Sequence, residues 1–125
     1  MQTETTATET IQNEVKPGDI FYTLWGYDQT NIDIIQVVKI SASGKTAICQ
    51  MSGAERGTGG GAIYNELIPN GKAYGPEFRM KIQSYQGKAE LRGTYVKWDQ
   101  PFRLDTFRKY ESGKQLFETD SQYGH

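Results

Sequence analysis

The chain has one cysteine, Cys49, and one histidine, His125, its last residue. A lone thiol cannot build a disulfide framework within the chain. With both residue types so scarce, no zinc ligand set can be assembled. Ser-His and Cys-His nucleophilic pairs fail for the same shortage. The aspartates show no calcium-loop signature, so no metal and no cofactor is expected. Cys49 sits among Ala47, Ile48 and Met51 and reads as a small buried hydrophobe. No apolar run approaches the ~18 residues of a membrane span, and no basic-then-apolar leader opens the chain. The expected location is a reducing cytoplasm, with no membrane association.

What is present points to strands. Aromatics make up 12% of the 125 residues, eight of them Tyr, and these suit a pleated, half-buried surface. Fourteen glycines imply many turns rather than long helices. The length supports one domain, which we place at 15–125. Residues 1–14 are mostly Thr, Glu and Gln, with Ile11 almost the only apolar anchor, and read as a disordered tail. The net charge of −1 is unevenly placed. Residues 1–71 hold four Lys/Arg against eight Asp/Glu, whereas 72–114 hold ten against five. That balance excludes a broad nucleic-acid footprint but leaves a local basic face open.

Lys16-Pro17-Gly18-Asp19 is a turn signature that launches a strand over Asp19–Trp25. Ile20, Tyr22 and Leu24 fall on one face and Phe21, Thr23 and Trp25 on the other, so both sides of this strand need cover. Gly26–Asn31 is a polar corner, Ile32–Ile40 a second strand and Thr46–Met51 a third. The loop between the last two puts Gly44 at a positive φ, and the three strands form a meander. Ser52–Gly61 is read as a loop, Ala62–Ile68 as a strand, Pro69–Lys72 as a turn and Lys72–Pro76 as irregular. Glu77–Ser84 alternates, with Phe78, Met80 and Ile82 inward and Arg79 and Lys81 outward. A turn at Tyr85–Lys88 leads to a strand over Glu90–Trp98, where Gly93 marks a bulge or a close approach. Phe102–Tyr110 reads as strand or irregular, and Glu111–Lys114 as a hairpin turn before Gln115–Thr119. The fold class is all-β: a small, strongly bent antiparallel sheet closing into an SH3-like barrel or a β-roll.

Three groups could carry function. The first is the corner Trp25, Tyr27, Asp28, Gln29 and Asn31 with Asp33 and Gln36. Rigid aromatics beside hydrogen-bonding side chains suit protein recognition; equally, Asp28 and Asn31 could cap a turn and Gln36 could satisfy a backbone group. The second is a basic set, Arg79, Lys81, Arg92 and Lys97 with Tyr95 and Trp98. On strands it could hold phosphates and stack bases of a single-stranded nucleic acid or RNA; the plainer reading is a solvated outer face. The third, Arg56–Gly61, lacks the Gly-Lys-Ser/Thr opening of a helix that a phosphate loop needs, and reads as a flexible loop that could order on binding. No residues suited to bond-breaking accompany Asp28 and Asp33, so no enzyme is expected.

Gly18-Asp19-Ile20-Phe21, Trp25–Asp33 and Gln36-Val37-Val38-Lys39 together resemble the opening of a family of small phage and plasmid proteins with no assigned activity. Gly75–Ile82 resembles that family's middle. Tyr110–Thr119 and Tyr123-Gly124-His125 resemble its end, with Tyr110 standing where Trp is common and Ser112 departing from the pattern. The resemblance implies a mobile-element origin and, through it, a bacterial host. The expectation is therefore a non-enzymatic module that binds a host protein, as a monomer or small homo-oligomer. Counter-defence, as by an anti-CRISPR, is an instance that rests on the resemblance alone. Binding of single-stranded nucleic acid is the alternative.

Overall fold

The structure, a computed structural model, describes residues 15–26, 29–59, 61, 64–111 and 113–119. The expected disordered tail at 1–14 lies outside them. Seven strands follow one another: β1 Ile20–Trp25, β2 Asn31–Ile40, β3 Thr46–Arg56, β4 Tyr64–Tyr85, β5 Lys88–Lys97, β6 Gln100–Lys109 and β7 Leu116–Thr119. No helix occurs among the described residues, so none there is long and apolar enough to cross a membrane. The sheet is antiparallel throughout, in the order β3-β2-β1-β6-β5-β4-β7. A further β3–β4 pairing closes six strands into a barrel, with β7 added outside the ring.

The barrel interior is built from alternate residues of the strands. Phe21, Ile35, Val37, Ala47, Cys49, Met80, Leu91, Tyr95 and Phe107 are its fully buried members. Phe78 and Met80 point in and Arg79 and Lys81 point out, as the alternation predicts. Gly93 is a close approach: a Cβ there would lie 2.9 Å from Met80 Sδ and 3.1 Å from the Arg79 carbonyl oxygen. The bulge falls two residues later, at Tyr95/Val96.

Both faces of β1 are covered, by different means. Phe21 faces the barrel core. Tyr22, outward, packs in a second cluster with Ile32, Ile34 and Leu116. That apolar outer patch is what β7 buries, and Leu116 alone stabilises by about 1.5–3 kcal/mol. Glu111–Lys114 does turn, with Lys114 N–H donating to the Glu111 carbonyl at 3.0 Å. It is not a hairpin, however. β7 leaves β6 and pairs with the first part of β4, Leu67 opposite Leu116 through Tyr64 opposite Thr119.

The segment from Ser52 to Pro76 also departs from expectation. β3 continues to Arg56, and β4 runs unbroken through the Pro69–Lys72 turn signature and the stretch read as irregular. Along β3, Ala54 to Ser52 spans two positions, while their β4 partners Pro69 and Ala73 are four apart. The same mismatch recurs between Met51/Tyr74 and Cys49/Phe78. The turn residues are thus spent as two bulges, at Gly71 (φ 74°) and Gly75 (φ 79°), and pairing resumes after each. Local turn chemistry bends the longest strand without ending it, which lets it serve β3, β5 and β7 in turn.

Candidate functional site: an aromatic rim above a buried aspartate

Pairing between β1 and β6 lasts for only two residue pairs, Phe21 with Lys109 and Tyr22 with Arg108. Beyond them the seam opens into a groove of about 260 Å³ lined by Tyr22, Thr23, Leu24, Asp105, Thr106 and Arg108. Side chains close the barrel where backbone pairing stops. Trp25 packs edge-on against Phe102 at 5.3 Å between ring centroids, and Phe102 meets Tyr95 at 5.5 Å. The Arg103 guanidinium lies 4.9 Å from the Trp25 ring centroid and 3.5 Å from Asp105, with no directed hydrogen bond from its Nε.

Beneath these rings lies Asp33, only 4% exposed. Alternation along β2 turns it inward with Ile35 and Val37. Its carboxylate accepts from Trp25 Nε1 at 2.7 Å, from the Tyr95 hydroxyl, and from Lys97 Nζ at 2.7 Å. A buried carboxylate is tolerable only when so paired. Burial first, then its hydrogen bond to Asp33, pushes the Tyr95 phenol far above the ordinary tyrosine range, so it remains a donor. The same Lys97 ammonium sits 4.7 Å from the Trp98 ring centroid and 4.9 Å from that of Phe102. One lysine therefore joins the buried acid to the exposed rim.

Trp98 is the outermost ring, 75% exposed. It and Asp99 form the β5–β6 turn, at φ 56° and 63°. A two-residue hairpin turn with both φ values positive favours Asn-Gly or Asp-Gly, and a bulky residue there is strained. The chain thus holds a large apolar ring in water on a backbone that disfavours it. Leu24 lines the groove and is 55% exposed; Leu104, equally exposed, lies on β6 opposite Thr94, two residues beyond Phe102.

The structure divides both sets of expected site residues. Of the corner set, Trp25 joins the rim, whereas Asp33 is interior and serves packing rather than contact. Gln36 is half-buried, and its Oε1 has no hydrogen-bond partner among the described residues. Gln29 Nε2 donates to Asn31 Oδ1 at 3.3 Å, and the neighbouring Thr30 exchanges bonds with Thr119 of β7. Gly26 makes this bend feasible, at φ 132°, since a Cβ there would collide with the Gln29 carbonyl oxygen. Tyr27 and Asp28 lie outside the described residues. Of the basic set, Tyr95 is wholly buried and Lys97 is committed to Asp33. Trp98 is on the rim. Arg79, Lys81 and Arg92 stand together on the outer face of β4 and β5, with Lys81 directly opposite Arg92.

The glycine loop is placed by Glu66. Gly57 N–H donates to the Glu66 carbonyl and Gly59 N–H to its side chain, each at 2.9 Å. A Cβ at Gly57 would collide with Glu66 Oε1, so a side chain there would displace the carboxylate that Gly59 N–H donates to; Gly60 lies outside the described residues. Among the described residues no group of three or more His, Cys, Asp or Glu could hold a metal. Phe102, Leu24 and Leu104 were not among the expected site residues. Phe102 and Arg103 follow closely on Trp98, and a second aromatic-cation pair beside the Lys97-Trp98 pair was the available signal. Comparison of the chain with protein-family models, curated proteins and solved structures finds no match in any of the three.

Proposed function

We propose that this chain is a non-enzymatic binding module whose contact surface is the rim formed by Trp25, Trp98, Phe102 and Arg103, with Leu24 and Leu104 at its margin. The observation that carries the reading is Trp98: exposed, and held where the backbone favours a small residue. Local rules are broken at functional sites more often than elsewhere. Tryptophan and arginine over a desolvated base are the side chains that dominate protein contacts. The open edges of β1 and β6 beside them would accept backbone hydrogen bonds from an extended segment of a partner.

The partner class is a protein of the host cytoplasm. That part, and the counter-defence role as an instance of it, rests on the resemblance to phage and plasmid proteins. The test is capture of partners from a bacterial lysate, identification, and titration of the purified partner by calorimetry. The paired variant Trp98→Ala/Leu104→Ala is expected to weaken the purified interaction by roughly a hundredfold, as for hot-spot residues. Unchanged affinity would remove the rim from the account. A shift in the protein's own sedimentation on making this variant would mean that the rim is a contact between copies of the chain.

A further inference from the structure

We propose that a second surface, the outer face of β4, β5 and β6, binds a single-stranded nucleic acid through its phosphates. The rim plays no part in this, and the two surfaces stand or fall separately. In register, Lys81 is directly opposite Arg92, whose neighbour on β6 is Thr106. One row along, Arg79 is opposite Ile48, which is opposite Lys39. All four cations are exposed. Arg92 Nη1 donates to Thr106 Oγ1 at 2.7 Å, which fixes its guanidinium without neutralising it. Neither Arg79 nor Lys81 is within salt-bridge range of a carboxylate among the described residues. Like charges directly opposite each other on a sheet oppose folding. A polyanion would turn that repulsion into attraction.

The face also has an end. Two rows beyond Lys81 on β4 is Tyr85, 60% exposed, opposite Lys88. Arg79 to Tyr85 spans six residues of strand, about 20 Å, room for a few nucleotides. Tyr85, Lys88, Arg108 and Lys114 line a groove of about 430 Å³, in which Glu90 and Glu111 are the acidic members. The row between Lys81 and Tyr85 pairs Gln83 with Glu90, whose carboxylate accepts from Gln83 Nε2 at 3.2 Å and stands opposite Arg108 on β6. An exposed ring beyond a cluster of cations is the arrangement that stacks an unpaired base while arginines hold phosphates. A duplex would leave the ring unused, and a purely acidic polymer such as polyglutamate has no aromatic ring to stack on it. Those differences select the single strand.

The experiment is fluorescence anisotropy of the full chain with a labelled oligothymidylate of about 12 residues, across a salt series. Three to four phosphate contacts predict a slope of log K on log salt of about −2 to −3. Lys81→Glu should weaken binding by about tenfold or more at low salt. It should also raise the melting temperature, because it places an acid opposite Arg92. That rise keeps the variant folded and separates the role from packing. Tyr85→Ala should cost a further ~10-fold. Absence of binding near 50 mM salt, binding indifferent to Lys81→Glu, or equal affinity for duplex DNA or polyglutamate would each overturn the proposal.

Discussion

Asp33 and Lys97 are 64 positions apart in the chain and 2.7 Å apart in the fold, the lysine bridging a buried carboxylate and an exposed indole. The pair ties β2 to the end of β5 where the β1–β6 seam has already parted. Without it Trp25, Phe102 and Trp98 would have no fixed floor. The acid under the rim holds the Trp25 indole and the Lys97 ammonium by hydrogen bonds, each at 2.7 Å.

Removing one partner of such a pair is costly, because the other remains buried and uncompensated. Asp33→Ala is expected to destabilise the fold by about 3 kcal/mol, read as a lower urea midpoint. It also orphans the Trp25 indole and the Tyr95 hydroxyl. A midpoint shift worth less than about 1 kcal/mol would show that the network is ornamental.

Glu118 supplies the pH dependence. Burial, reinforced by Asp33 and opposed by the Ile32 amide, Lys97 and Arg56, raises its pKa above the ordinary 4.5. The folded chain therefore keeps this proton where the unfolded chain has lost it. Its stabilising contribution is complete below pH 4.5 and is lost as pH rises through the folded value. Glu118→Gln keeps an acceptor for the Ile32 amide and removes the charge. Its melting temperature relative to wild type should be higher at pH 7 than at pH 4. A pH-independent difference would contradict this.

Cys49 is wholly buried, and desolvation pushes its thiol up to about 12. A thiolate reagent at pH 8 should leave the native protein unlabelled over the time in which the urea-unfolded chain reacts fully. Rapid labelling of the native chain would mean that the barrel opens locally between β2 and β4.

Much of the architecture could be read from the residues, and the failures have a common cause. Alternation at Phe78–Ile82 and apolar bulk on both faces of Ile20–Trp25 reported burial, which is what periodicity measures. Gly18 and Gly44 fell at positive φ as their contexts implied. Pro69–Lys72 misled because a turn signature specifies local backbone shape, and a bulge uses the same shape without reversing the chain. Glu111–Lys114 misled because the partner of β7 is set by the apolar patch of Tyr22, Ile32 and Ile34, far away in sequence. The same non-locality split the candidate sites. Asp33 was grouped with the corner and Lys97 with the basic segment, and nothing in either stretch indicates that they meet.

The most direct test of the rim replaces Trp98 with a residue its backbone favours. Trp98→Asn relieves a strained position, so the melting temperature should equal or exceed that of the wild type. The same variant should lose affinity for the captured and purified partner by roughly tenfold or more. A more stable protein with the weaker grip is the predicted result. A Trp98→Asn chain that is destabilised, or that binds the partner as tightly as wild type, would contradict it.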